Sequence, residues 1–240
     1  MQRNLFSREP EEKDGRYYFT KAPDNIHVSK KMKEWSIFRK AQFQFVKDAC
    51  EGLPEKSLLL DHGAGQSQFR EVSYKFDRIG IDFVPYDGID VIANVEEELP
   101  FKSGVFDIVF STNSFEHIHN TAKAFGECAR VLKSGGLIIG STPFLLKVHQ
   151  TPYDFHRFTN FELIKLFEEH GFEDVSIVPI GTTLDLLRQT ALHYFGPKTT
   201  MGVGKIIWNL QKIILSLCRL LPKERNTGLA LGYGFRARKK

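Results

Sequence analysis

Apolar residues along this chain follow two rhythms. Over 29–50 they recur at helical spacing, with Trp35, Phe38, Phe43 and Val46 among them, as in a helix that buries one side. Beyond it come short apolar runs at 57–60, 78–81, 105–111, 136–141, 175–180 and 232–237, each of strand length. Helix-like or acidic segments separate the first five, notably 66–76, 121–132 and 160–170. This alternation predicts a mostly parallel sheet covered on both faces. Residues 1–23 are polar and turn-rich, and are expected to form a poorly anchored arm.

In such a sheet a ligand sits at the carboxyl ends of the strands. The run at 57–60 is expected to be first and central, and it continues as Asp61, His62, Gly63, Ala64 and Gly65. Spaced glycines there let the backbone turn sharply without a Cβ against the ligand. A helix beginning near Gln66 would aim its unpaired N–H groups the same way. Asp82 closes the second run, where an acid accepts two hydrogen bonds from a ribose diol. A dinucleotide-binding turn explains this pair too, but it expects Gly-x-Gly-x-x-Gly, and position 68 is Gln68. Nor does it account for an acid, Asp61, beside the space of an anionic pyrophosphate. A cationic, nucleoside-containing ligand fits better.

With these residues the chain resembles the class I S-adenosylmethionine-dependent methyltransferases, in particular their type 11-like members. "LDHGAGQS" is similar to the family's first motif, and Asp82 stands where its ribose-binding acid stands. "ANVEEELPF" (93–101) resembles the adenine-side segment. "FDIVFSTNSFEHIHNTAKAFGECARVLKSGGLIIGSTPF" (106–144) resembles its fourth strand, Glu-His signature, helix, turn and fifth strand. Two positions depart from the pattern. Asn94 replaces an acid, though an amide oxygen still accepts a hydrogen bond; Ser67 replaces a glycine and is expected to cap the next helix.

The resemblance covers about 58–181. It implies a Rossmann-like, doubly wound α/β fold with a seven-stranded sheet in the order 3-2-1-4-5-7-6 and an antiparallel last strand. It also implies S-adenosylmethionine as cofactor, held by Asp61, His62, Gly63, Ala64, Gly65, Asp82, Phe83, Asn94, Val95 and Asn113. The expected organisation is an arm and helical extension over 1–50, the core over 51–181, a helical insertion over 182–229, and a final strand with a basic tail over 230–240.

The segment after the fifth strand speaks to the acceptor. His149, Tyr153, Asp154, His156 and Arg157 crowd into 149–157, at the cofactor end of the sheet. The run "PFLLKVHQTPYDFHRFT" resembles a subgroup of bacterial methyltransferases associated with surface-glycan and cell-envelope biosynthesis. His149 is the candidate base, because its ordinary pKa near 6.5 suits a proton acceptor around neutral pH. Glu116, Tyr153, His156 and Arg157 are candidate acceptor contacts. Each has a plainer reading: His149 as a turn cap, Asp154 with Arg157 as an ion pair fixing the loop, Tyr153 as packing, Glu116 as architecture. His117, His119, Asp154 and His156 show no recognised ligand spacing, so no metal is expected.

Composition narrows the class. The 240 residues, 42% hydrophobic and 26% charged, suit one soluble core with appendages. The net charge of +4 is concentrated in "SKKMK" and the final "RARKK", usually solvated ends. Nucleic acid is not an expected partner, since "STNSF" lacks the Asn/Asp-Pro-Pro-Tyr signature of base methylases. Cys50, Cys128 and Cys218 form neither a CxxC nor an even set, which fits a reducing cytoplasm.

Over 205–221, Lys205, Asn209, Lys212, Ser216 and Arg219 form one polar stripe on an apolar helix. That helix is expected to pack on the domain or on a second copy in a homodimer; the sharper reading is peripheral membrane contact. The leading expectation is methyl transfer to an oxygen of a small-molecule or glycan acceptor. The rivals are a non-catalytic scaffold of this fold and a nicotinamide-dependent oxidoreductase.

Overall fold

A computed structural model describes residues 3–22, 36–66, 69–194 and 229–240, with positions 206, 209, 210 and 213. In chain order the strands are β1 (Glu11–Lys13), β2 (Arg16–Tyr18), β3 (Leu58–His62), β4 (Asp77–Asp82), β5 (Val91–Ile92), β6 (Phe106–Thr112), β7 (Leu132–Pro143), β8 (Phe172–Ile180) and β9 (Gly232–Lys239). The helices are α1 (Ile37–Cys50), α2 (Arg70–Ser73), α3 (Thr121–Val131), α4 (Asn160–Glu169) and α5 (Thr183–Tyr194).

Among the described residues the strands form one nine-stranded sheet, ordered β1-β2-β5-β4-β3-β6-β7-β9-β8. β3 is central and parallel to β4 and β6, whereas β9 runs antiparallel between β7 and β8. Apolar residues on β3 and β6 divide between the faces. Leu59, Ile108 and Phe110 pack with Val46 and Cys50 of α1, while Leu60 and Val109 join Phe125, Leu163 and Phe167 of α3 and α4. Each fully buried Phe or Leu stabilises the fold by about 1.5–3 kcal/mol relative to exposure. The parallel ladder therefore survives only because both faces are covered.

The expectation of seven strands is corrected: nine are present among the described residues. The seven from β3 to β9 stand in the relative order 3-2-1-4-5-7-6, and the two further strands come from the segment expected to be a loose arm. Asp14 and Gly15, at φ 52° and 73°, make the two-residue turn of a hairpin, the backbone such loops require. β2 then pairs with β5, Tyr17 opposite Val91 and Tyr18 opposite Ile92, covering a parallel edge that would otherwise expose unpaired amides. Phe6 anchors the arm, buried against the Tyr17, Phe19 and Phe101 rings at 5.0–5.5 Å. A few aromatic residues outweigh the polar composition around them.

The helix expected over 66–76 is also corrected: among its described residues only Arg70–Ser73 is helical. Phe69 and Phe76 are both buried, and the short crossover spends its residues reaching that layer. Ser67 and Gln68 lie outside the described residues, as does the capping role expected of Ser67. α1 starts at Ser36, whose Oγ accepts the Arg39 amide at 3.1 Å; Trp35 and the expected helical residues before it lie outside the described residues. So do most of 205–221, where positions 206, 209, 210 and 213 are helical and exposed. No described helix is long and apolar enough to cross a membrane.

Candidate active site at the carboxyl ends of the strands

β3 ends in a turn built around its glycines. Gly63 has φ +64°, and a Cβ there would lie 2.1 Å from Ser114 Oγ, so the loop after β6 closes directly on the turn after β3. Gly65 has φ +52°, and a Cβ added to it would meet nothing within 4 Å, so it borders open space. The Ala64 amide donates to the Ile81 carbonyl at 3.1 Å. Asp82, last in β4, accepts the Gly65 amide at 2.9 Å on Oδ2 and the Val84 amide at 2.9 Å on Oδ1. Burial lifts its pKa to about 6, opposed by those amides. The Phe83 amide favours the charged form as well; a carboxylate has about four lone-pair sites, so room remains for a hydroxyl donor. Beside it Phe83 is 45% exposed, an apolar ring facing water at the same crest.

Asp61 is committed elsewhere. Arg78 Nε and NH2 both lie 2.8 Å from its Oδ2, one strand over, and Gly80 leaves the space the guanidinium fills. Burial raises the Asp61 pKa while Arg78 opposes it. His62 points into the core, its Nδ1 3.4 Å from both Ser111 Oγ and Ser114 Oγ. Burial pulls its pKa down to about 4, which leaves the imidazole neutral.

Asn113, just past β6, adopts φ 51°, unusual outside glycine. Its amide donates to the Ser141 carbonyl at 2.9 Å, and its Oδ1 accepts from Gln42 Nε2 at 2.7 Å. The same nitrogen donates to Ser141 Oγ at 2.6 Å, so one fully buried α1 side chain ties the ends of β6 and β7. Asn94 turns its Oδ1 to the Glu96 amide at 3.0 Å, capping its own turn, and Val95 is buried in the main core.

The residues expected on the acceptor side gather around Glu116. This side chain is fully buried, and neither carboxylate oxygen has a hydrogen-bond partner. His117 Nε2 and His149 Nε2 each lie 3.7 Å from Glu116 Oε1. His117 Nδ1 donates to the Tyr153 carbonyl. His149 Nδ1 sits 3.2 Å from Asp154 Oδ2, and the same oxygen accepts the His149 amide at 2.8 Å. Glu116 foremost, with Asp154, holds the His149 pKa above its ordinary value.

Arg157 grips Asp154 with two prongs, NH1 to Oδ1 at 2.5 Å and NH2 to Oδ2 at 2.7 Å, and keeps that carboxyl far below the usual range. Tyr153 is 59% exposed. His156 stacks on Phe158 at 5.3 Å, and its Nε2 is buried without a partner. The Phe155 and His156 amides both donate to the Glu116 carbonyl, at 2.8 and 3.2 Å, which docks the loop on the short helical turn Phe115–His117 that follows β6.

Sequence reading overlooked several of these residues. Arg78, Gln42 and Ser114 carry no motif; each matters through a contact between distant segments. His117 was visible beside Glu116, but only the fold brings His149 to the pair.

Residues 60–140, from β3 into β7, match the family model described as methyltransferase domain. A probable S-adenosylmethionine-dependent methyltransferase of Mycolicibacterium smegmatis is 25% identical over 154 residues, 58% of this chain and 59% of that protein. A sarcosine/dimethylglycine N-methyltransferase of Halorhodospira halochloris is 40% identical over 55 residues, 23% of this chain and 20% of that one. The matches thus span about a fifth to three fifths of these relatives' own lengths.

Among solved structures, geranyl diphosphate methyltransferase in complex with S-adenosylmethionine superposes with a TM-score of 0.57 at 14% identity, covering 84% of this chain and 86% of that chain. The cyclase SpnF gives 0.56 at 16% identity, covering 91% and 87%. These likenesses establish the fold.

Proposed function

We propose that this protein is an S-adenosylmethionine-dependent methyltransferase acting on an oxygen of a small-molecule or glycan acceptor. The observation that carries this reading is the pairing of Gly65 with Asp82. A carboxylate fixed by two amides, beside a glycine turn that opens onto free space, suits a ribose diol. S-adenosylmethionine is the cofactor, and when bound it supplies an electrophilic methyl group on a positively charged sulfur.

Asp82 accepts the ribose hydroxyls, and Phe83 and Asn94 border the adenine. Gly63, Ala64 and Gly65 line the turn along the methionine portion. Asp61, held by Arg78, fixes the β3 end against β4 and places a carboxylate beneath that turn. Asn113 borders the cofactor, and the buried Glu116 lies behind His149 on the acceptor side.

His149 is the acceptor-side base. Its Nε2 lies 3.7 Å from the buried Glu116 carboxylate, and Asp154 sits 3.2 Å from Nδ1, the arrangement of a base and its orienting group. The proton of the acceptor hydroxyl passes to Nε2 as the oxygen attacks. Positioning supplies much of the rate in such a transfer, and here Arg157 holds Asp154, which holds His149. The glycan class rests on the resemblance of the 143–159 run to glycan-associated relatives. Because a cyclase shares this fold, the fold alone does not assign the reaction.

Calorimetric titration with S-adenosylmethionine, S-adenosylhomocysteine and NAD tests the reading first. Saturable binding of both sulfur compounds and none of NAD is expected. Methyl-labelled cofactor is then offered to hydroxylated acceptor pools. Binding without any labelled product would turn the assignment to a non-catalytic scaffold, and no binding would remove it.

A further inference from the structure

We propose that Glu116, His117 and His149 form a binding site for a divalent transition-metal ion of the zinc class. One donor atom from each lies within 4.8 Å of the others. Their hydrogen-bond partners say which atoms are free to ligate. A carbonyl only accepts, so His117 carries its proton on Nδ1 against the Tyr153 carbonyl, and Nε2 is a bare lone pair with no hydrogen-bond partner. His149 turns Nδ1 to Asp154 at 3.2 Å and presents Nε2 to Glu116. A ring nitrogen held by a carboxylate or carbonyl, with the other aimed at a shared point, is the usual outer support of a metal-bound histidine.

The third donor is the buried Glu116 carboxylate, both of whose oxygens lack a hydrogen-bond partner. A buried carboxylate without hydrogen bonds is costly. Ligands about 2.0–2.2 Å from zinc stand roughly 3.4 Å apart in a tetrahedron, and both imidazole nitrogens are 3.7 Å from Glu116 Oε1. Two imidazoles and one carboxylate favour a transition metal over magnesium or calcium, which prefer oxygen ligands. Three protein ligands leave a position open, and of the three side chains that of His149, 28% accessible, is the most exposed.

The role of the ion rests on the methyl-transfer reading; its binding does not. A metal on His149 Nε2 displaces the proton-accepting function assigned to that nitrogen. An acceptor hydroxyl on the open position would instead have its pKa lowered by the ion and release its proton to solvent.

The full chain, stripped by a chelator, is titrated with Co2+ alone, read by its visible d–d absorption, and then with Zn2+. One equivalent of Co2+ displaced by one of Zn2+ is expected. His149→Gln and His117→Gln should each weaken Co2+ binding at least tenfold, and Asp154→Asn roughly tenfold through loss of orientation. Retained S-adenosylhomocysteine binding reports that the variants are folded. A wild-type chain without a saturable Co2+ signal, or histidine variants that keep it, overturns the proposal. Metal binding in a chain that binds neither sulfur compound supports the metal site and counts against methyl transfer alone.

Discussion

The Gly65 amide donates to Asp82 Oδ2 at 2.9 Å, so the carboxylate at the end of β4 shapes the turn at the end of β3. The group proposed to read the ribose therefore also sets the loop above it. Contact with the diol and the geometry of the turn cannot be altered independently.

Asp82 gives opposite pH responses in stability and binding. Its folded pKa of about 6 lies above the ordinary carboxylate value, about 3.9, so between these values the native state holds more protons. Stability of the free protein falls as pH rises through that window. Hydroxyl donors favour the ionised form, so affinity for S-adenosylhomocysteine rises through the same window. Asp82→Asn should flatten both profiles and weaken binding roughly tenfold or more; urea unfolding and calorimetry from pH 4 to pH 7 check this.

Gly63→Ala places a methyl 2.1 Å from Ser114 Oγ and forces a side chain into φ +64°. A loss of about 2–4 kcal/mol is expected from overpacking and the left-handed backbone together. Adding Ser114→Gly should recover the steric part and leave about 1 kcal/mol. A double-mutant cycle by chemical denaturation separates the two.

Gln42→Leu removes both Nε2 bonds, to Asn113 and Ser141. Leaving those acceptors buried and unpaired should cost about 1–3 kcal/mol. Asn113, held at φ 51°, should relax, raising the dissociation constant for S-adenosylhomocysteine several-fold. Equilibrium unfolding and calorimetry measure the two effects separately.

His149 titrates above its ordinary value because Glu116, and then Asp154, favour its charged form. That stabilisation is complete below about pH 6.5 and is lost as pH rises through the folded pKa. In metal-free protein, Glu116→Gln should lower the His149 midpoint more than Asp154→Asn does. Proton NMR titration of the imidazole reads both, and equal shifts would reject the ordering.

Phe6→Ala should cost about 3–5 kcal/mol, a core-sized loss from a residue near the start of the chain. Phe6 is 5% exposed among three aromatic rings. Urea denaturation gives the figure.

Strand positions were legible because a parallel sheet buried on both faces leaves dense apolar runs. Leu59, Leu60, Val109 and Ile138 announce themselves by composition. The hairpin over 11–18 was written in "KDGRYY", but its place in the sheet depends on β5, distant in sequence, and on Phe6, which packs on Tyr17 and on the distant Phe101. At the site, Asp82 and the two glycines follow from local spacing. The Asp61–Arg78 pair does not, because lateral neighbours across a sheet depend on register, which no single strand encodes. For the same reason Glu116, His117 and His149 read as separate residues until β6 and β7 were laid side by side.

The loop bearing His149 is pinned by two main-chain amides on one main-chain carbonyl, that of Glu116. An anchor made of backbone asks only for an N–H, which every residue but proline brings. Exchanges at 155 and 156 therefore keep this berth, while giving up the ring contacts of Phe155 with His119 and of His156 with Phe158.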